Sequence, residues 1–186
     1  MRLLYFRVKN FRGIGKGNGT GLQINLTDQN ITFLIGQNNV GKSSLLYAYD
    51  YFFNDKKAKI DDFFDKDINN SIEIEIVLEL TADEIEENSS LFKGDIAFEK
   101  VYFRKIWKDK DTLSDVHIGQ DENSLNSINR KNKKELDWYQ KKLPEPIWIK
   151  GMSSTEELVS QLQRLVKSAI LDHLEDKYEE QYKSII

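Results

Sequence analysis

The chain has 186 residues, of which 39% are hydrophobic and 31% charged, as in one soluble globular domain or one lobe of a larger protein. Its net charge of −4 excludes a uniformly basic nucleic-acid binder, and the lack of cysteine excludes disulfides and thiolate metal sites. No apolar run approaches the ~20 residues that cross a membrane, so we expect a cytoplasmic protein without a membrane partner.

Three strands are predicted in the first 35 residues. The chain opens with a strand from Leu3 that leads into Asn10-Phe11-Arg12, and a second strand is predicted near Leu22 to Leu26. Glycine alternates with other residues through 13–21, which is typical of a turn between strands. Residues 31–35 form an apolar, β-branched run that predicts a buried third strand.

Residues 36–43 have the form G-x-x-x-x-G-K-S, which is that of a phosphate-binding loop, and they lie between the third strand and a predicted helix over 43–54. The glycines let the backbone curl around phosphates, and Lys42 supplies a positive charge to them. The Ser43 hydroxyl is a predicted ligand of Mg²⁺, which prefers oxygen. The predicted contacts to ATP in this segment are Gly36, Asn38, Asn39, Gly41, Lys42, Ser43 and Ser44.

A charged loop over 55–70 and a half-buried strand over 71–80 are predicted next, because isoleucine and leucine alternate with glutamate in the second range. Asp62, in the charged loop, is interpreted as part of a solvated acidic turn, with a position near Mg²⁺ as the alternative. Thr81 and Glu84 have the spacing of a capping box and predict the start of a short helix.

Further along the chain, a strand over 96–107 is predicted to pair as a hairpin with 112–118. A polar loop over 119–130 and a short helix around 130–141 follow, the helix carrying basic residues around Trp138 and Tyr139. This cluster is either a patch that meets DNA phosphates or a solvated helix face, and the second interpretation is favoured.

Residues 147–149 predict a brief strand, and an amphipathic helix is predicted from Thr155 onward. We therefore divide the chain into a phosphate-loop lobe over 1–150 and a helical segment over 151–186. The helical segment is expected to begin a helical or dimerisation region of a longer protein.

The order of strand, Asn10-Phe11-Arg12, two strands and the loop G-x-N-x-x-G-K-S resembles the N-terminal lobe of ABC-type ATPases in the SMC/RecF group. Within that group it most resembles the overcoming-lysogenisation-defect (OLD) family, whose pattern is also similar to residues 61–80. The resemblance implies an α/β P-loop NTPase fold, in which a mixed sheet is joined by an antiparallel β layer and a long C-terminal helix. It also implies that Arg12 lies near the nucleotide phosphates.

Hydrolysis in this group needs a strand that ends directly in Asp-Glu and a Ser-Gly signature segment, and neither motif is recognised in the sequence. Ala169 to Asp172 is the nearest match to the first, but it lies inside the predicted helix. The metal-binding carboxylates of a Toprim nuclease are also not recognised, since Asp65-Lys66-Asp67 and Asp109-Lys110-Asp111 are interpreted as surface turns. The lobe is therefore expected to bind ATP and Mg²⁺ without a catalytic residue of its own.

Three functions remain open from the sequence. The first is the nucleotide-binding lobe of an OLD-like ATPase-nuclease that acts on DNA in phage defence, and the second is a RecF/SMC-like DNA-repair ATPase without a nuclease. The third is a non-catalytic ATP-binding or dimerisation module that regulates a partner. The expected partners are the nucleotide, a second copy bound through the ATPase head or the C-terminal helix, and DNA through the longer protein.

Overall fold

The protein is described here as a computed structural model covering residues 1–17, 19–26, 32–37, 41–92, 99–128 and 133–146, with individual positions from 156 to 170. The chain divides into two units, Met1–Pro146 and Ile147–Ile186. The described positions of the second unit are helical, while the predicted strand at 147–149 and most of the predicted long helix lie outside the described residues.

The first unit contains a six-stranded sheet with the order β2-β1-β3-β4-β5-β6. Every pairing within it is antiparallel. The strands are β1 (Arg2–Lys9), β2 (Leu22–Asn25), β3 (Ile72–Glu79), β4 (Lys100–Trp107), β5 (Asp115–Gly119) and β6 (Asn126–Ile128). The predicted turn between β1 and β2 and the predicted hairpin of β4 with β5 are confirmed.

Within the described part of the first unit, three helices accompany the sheet: α1 (Lys42–Phe53), α2 (Ala82–Phe92) and α3 (Lys133–Lys142). Two short 3-10 turns, Ile60–Asp62 and Phe64–Lys66, occupy the predicted charged loop. The capping box at α2 is confirmed, because the Thr81 backbone N–H donates to Glu84 Oε2 at 2.9 Å and the Glu84 N–H donates to Thr81 Oγ1 at 3.4 Å.

The core lies on one face of the sheet. Alternate residues of a strand point to the same face, so apolar residues at every second position of β1, β3 and β4 form one continuous surface. Helix α1 contributes Phe52 to this core, with its ring centroid 4.8 Å from that of Phe103. Helix α3 contributes Tyr139 at 6.1 Å from Phe103. Burial of each such ring contributes about 1.5–3 kcal/mol.

Lys105 joins the sheet to the end of α1 from within this core. Its side chain is 1% exposed, and its ammonium donates to the carbonyl oxygen of Phe52 at 2.6 Å. The last carbonyls of a helix receive no hydrogen bond from within the helix and lie at the negative end of its dipole, so a cation is stabilised there. Asp55 lies 3.5 Å from the same ammonium. Lys105 therefore fixes the C-terminal end of α1 against β4.

The observed sheet differs from the predicted mixed sheet, since the described strands are antiparallel throughout. Residues 32–37 form no strand, which corrects the prediction over the described part of 31–35. The side chains of Phe33 and Ile35 are 79% and 93% exposed. The described residues 32–37 pair with no strand of the sheet and bury little of these two side chains, so neither hydrogen bonds nor burial stabilise a strand there. The coarser α/β class is confirmed.

Candidate nucleotide-binding site

Helix α1 begins with backbone N–H groups that no side chain caps. Gly41 is the N-cap residue with φ 90°, a left-handed conformation that glycine adopts without steric cost. It makes no side-chain cap hydrogen bond, and the first turn of α1 carries no acidic residue. The first hydrogen bond of the helix runs from the Leu45 N–H to the Gly41 carbonyl at 3.0 Å. The N–H groups before Leu45 are therefore available to donate hydrogen bonds to an anion, which the helix dipole also favours.

Lys42 is turned back onto the phosphate-loop segment. Its ammonium donates to the carbonyl oxygen of Gly36 at 2.8 Å and to that of Gln37. Both acceptors are neutral carbonyls, whereas charge-assisted hydrogen bonds to phosphate are stronger. Phosphate oxygens placed in the loop would thus compete well for this ammonium, as the sequence predicts.

Two hydroxyls lie on the first turn of α1, where the predicted phosphate and metal contacts belong. Ser43 is exposed and Ser44 is partly buried. An accessible hydroxyl oxygen fits Mg²⁺, which binds oxygen and retains several waters. Asn38 and Asn39, the other predicted contacts, lie outside the described residues, so their roles remain predictions.

The turn that contains Asn10 and Arg12 packs against the start of α1. Both residues have left-handed backbones, with φ values of 57° and 52°, and the Asn10 side-chain amide donates to the Ser71 carbonyl at 3.1 Å. A Cβ atom placed on Gly13 would lie 3.8 Å from the Gly41 Cα, which is ordinary contact. The fold therefore brings together the two motifs that were separate in the sequence.

The Arg12 guanidinium lies beside α1. Its Nε donates to Asp62 Oδ1 at 2.8 Å, and its central carbon lies 4.6 Å from the ring centroid of Tyr47. Burial lowers the pKa of Arg12, but the hydrogen bond to Asp62 and the carboxylate charge outweigh this effect and raise the pKa above its usual value. Arg12 is therefore a fixed positive charge beside α1, and its contact with the nucleotide phosphates stays a prediction.

Asp62 is buried, which corrects its interpretation as part of a solvated acidic turn. The residue is 2% exposed, and besides Arg12 its carboxylate accepts hydrogen bonds from the Tyr51 hydroxyl and the Lys59 backbone N–H, both at 2.8 Å. Burial and the bond to Asp62 raise the pKa of Tyr51 to about 12. A carboxylate so engaged fits a structural role better than Mg²⁺ coordination. The signal in the sequence was its position directly before the buried Phe63.

Comparison with known families agrees with this geometry. The family model described as AAA ATPase domain matches residues 1–185. The chain belongs to the AAA ATPase domain family. A comparison with curated proteins gives no match. Membership supports nucleotide binding, usually together with Mg²⁺, and the loop at α1 is the segment of this AAA ATPase domain that fits such a ligand.

The basic helix α3 of this AAA ATPase domain does not present its aromatic rings to solvent. Trp138 and Tyr139 are 8% and 1% exposed, because they pack into the core. Lys134, Lys141 and Lys142 are exposed, and Lys142 pairs with Glu87 at 3.2 Å and lies 5.5 Å from the centroid of the Trp138 ring. The favoured interpretation, a solvated helix face, agrees with these exposures.

The acidic turns of the AAA ATPase domain form no metal cluster in the part of the chain that the structure describes. Asp67 instead accepts a hydrogen bond from the Asn69 backbone N–H at 2.9 Å, as aspartate does in a surface turn. Among the described helices, none is long and apolar enough to cross a membrane.

Proposed function

We propose that this AAA ATPase domain binds ATP with Mg²⁺ at the N-terminus of α1. The observation that supports the proposal is the convergence of three features there. They are the uncapped helix start after Gly41, the Lys42 ammonium and the Arg12 guanidinium. Each favours negative charge, and a triphosphate with its metal ion is the ligand whose charge and shape suit the G-x-x-x-x-G-K-S loop.

The residues divide the binding between them. The first-turn N–H groups of α1 hydrogen bond phosphate oxygens, and Lys42 exchanges its carbonyl acceptors for the β- and γ-phosphates. The Ser43 hydroxyl is the side chain that would hold Mg²⁺, which offsets phosphate charge. Arg12 adds a second cation from the neighbouring turn.

We further propose that the domain works in an OLD-like ATPase-nuclease that acts on DNA in phage defence. The support is the combination of Asn10-Phe11-Arg12 with the G-x-N-x-x-G-K-S loop. The two motifs lie next to each other in the fold, because Gly13 packs against Gly41. Hydrolysis then depends on residues supplied from outside residues 1–186, and dimerisation through the ATPase head is one way to supply them. A nuclease assay of the full-length protein separates this proposal from a RecF/SMC-like repair ATPase.

Thermal unfolding with and without ATP and Mg²⁺ tests the binding proposal. A ligand that binds only the folded state at about 100 times its Kd stabilises it by about 2.7 kcal/mol. For a domain of this size that raises the Tm by roughly 5–10 °C. Lys42→Ala should lose the increase, whereas Lys141→Ala, on the exposed face of α3, should keep it. A wild-type Tm unchanged by millimolar ATP would contradict the proposal.

A further inference from the structure

In the Arg12–Asp62 ion pair the carboxylate is buried and the guanidinium is partly exposed to solvent. The side chain of Asp62 is 4% exposed, while that of Arg12 is 31% exposed. A buried carboxylate is costly unless hydrogen-bond donors surround it, and here Arg12, Tyr51 and the Lys59 N–H supply them. The carboxylate end of the pair is therefore fixed, and the guanidinium end faces outward.

Several contacts fix Arg12 in one place. Its backbone N–H donates to the Asp62 carbonyl at 2.8 Å, its Nε donates to the Asp62 carboxylate, and its guanidinium stacks on the Tyr47 ring. On a helix, residues three and four apart share a face, so Tyr47 lies on the same face of α1 as Ser43 and Ser44. The guanidinium is thus held beside α1, one turn after the two serines, and the neighbouring Gly13 lies against Gly41 at the start of the helix.

The hydrogen bond to Asp62 uses Nε, the guanidinium nitrogen closest to the backbone. The two terminal nitrogens carry the remaining donors, and the fork of a guanidinium suits phosphate oxygens. We propose that Asp62 is a positioning residue, which orients Arg12 so that its terminal nitrogens bind the nucleotide phosphates. The inference rests on the proposed ATP binding, and in it Asp62 itself contacts no phosphate.

The sign of the effect separates this role from simple electrostatics. A carboxylate near a triphosphate repels it, so neutralising Asp62 without any change in Arg12 would strengthen ATP binding. If Asp62 positions Arg12, the same substitution releases the guanidinium and weakens binding instead. Asp62→Asn therefore moves the ATP affinity in opposite directions under the two accounts.

The test is calorimetric titration of ATP with Mg²⁺ into the wild type, Asp62→Asn, Arg12→Ala and the double variant. Asp62→Asn and Arg12→Ala should each weaken binding about tenfold, the size of one hydrogen bond to a charged group. The double variant should be no weaker than Arg12→Ala, because both changes remove one interaction. The matched control is Asp61→Asn, whose carboxylate is 72% exposed and pairs with Lys66 at 2.9 Å, and it should bind as the wild type does.

Equal or tighter binding by Asp62→Asn, with Arg12→Ala weakened, would overturn the positioning role and leave the proposed function intact. No ATP binding by the wild type would overturn both. If circular dichroism shows that Asp62→Asn does not fold, Tyr51→Phe decides, because it keeps the carboxylate and the ring beside Arg12 and removes the hydroxyl that donates to Asp62. Tyr51→Phe should weaken ATP binding severalfold, and an unchanged affinity would overturn the proposal.

Discussion

Substitution of Lys105 by methionine tests how α1 is held to the sheet. Methionine keeps most of the buried volume and removes the ammonium that donates to the Phe52 carbonyl at 2.6 Å. Loss of a hydrogen bond from a charged donor costs about 1.5–3 kcal/mol. Asp55 is 23% exposed and can be hydrated after the change, so the lost ion pair adds less than about 1 kcal/mol.

Removal of a buried charge also relieves its desolvation cost, which offsets part of this loss. We expect Lys105→Met to lower the free energy of unfolding by about 2 kcal/mol, which lowers the Tm by roughly 4–8 °C in a domain of this size. Urea unfolding followed by circular dichroism measures it. Lys100→Met, at the exposed start of the same strand, should change stability by less than about 0.5 kcal/mol. If both variants are equally stable, Lys105 does not fix α1 as described.

Three further predictions concern the loop, the sheet and catalysis. Gly41→Ala should destabilise the domain to urea by about 1–2 kcal/mol, because Gly41 has a φ of 90° and the new Cβ would lie 3.2 Å from Ile14. Gly13→Ala should leave the free energy of unfolding nearly unchanged, and equal effects of the two substitutions would contradict this prediction. Burial lowers the pKa of His117, so the folded state disfavours its protonation and the free energy of unfolding falls as pH drops below about 6.5. His117→Gln should reduce the difference in free energy of unfolding between pH 7 and pH 5.5. A difference as large as that of the wild type would refute this prediction. Residues 1–186 alone should release negligible phosphate from ATP, and turnover that Lys42→Ala abolishes would show that the chain contains the missing catalytic groups.

The sequence predicted those elements whose signals are local. The isoleucines of β3 alternate with glutamate from Ile72 to Ile76, and the Thr81–Glu84 box is a contact between residues one turn apart. The loop at Gly36 to Ser43 is likewise a contiguous motif. The strand and the capping box depend on nearby residues, so pattern and structure agree for them.

The features that the sequence did not predict depend on distant contacts. Strand β6 has three residues in the predicted polar loop over 119–130, and it forms because β5 offers a free edge, with His117 opposite Ser127. Asp62 is buried because Arg12, fifty positions away, supplies its counter-charge. Residues 32–35 have the composition of a strand but pair with none of the six strands of the sheet. None of these outcomes is encoded within a window of neighbouring residues.

The most direct test of the account compares ATP with AMP by calorimetric titration in the presence of Mg²⁺. Both nucleotides share the base and sugar, but only ATP has the β- and γ-phosphates that Lys42 and the start of α1 are proposed to bind. The wild type should bind ATP and bind AMP at least about tenfold more weakly, and Lys42→Ala should lose most of the difference. Equal affinity for ATP and AMP, or full ATP affinity in Lys42→Ala, would contradict the assignment of this loop as the nucleotide site.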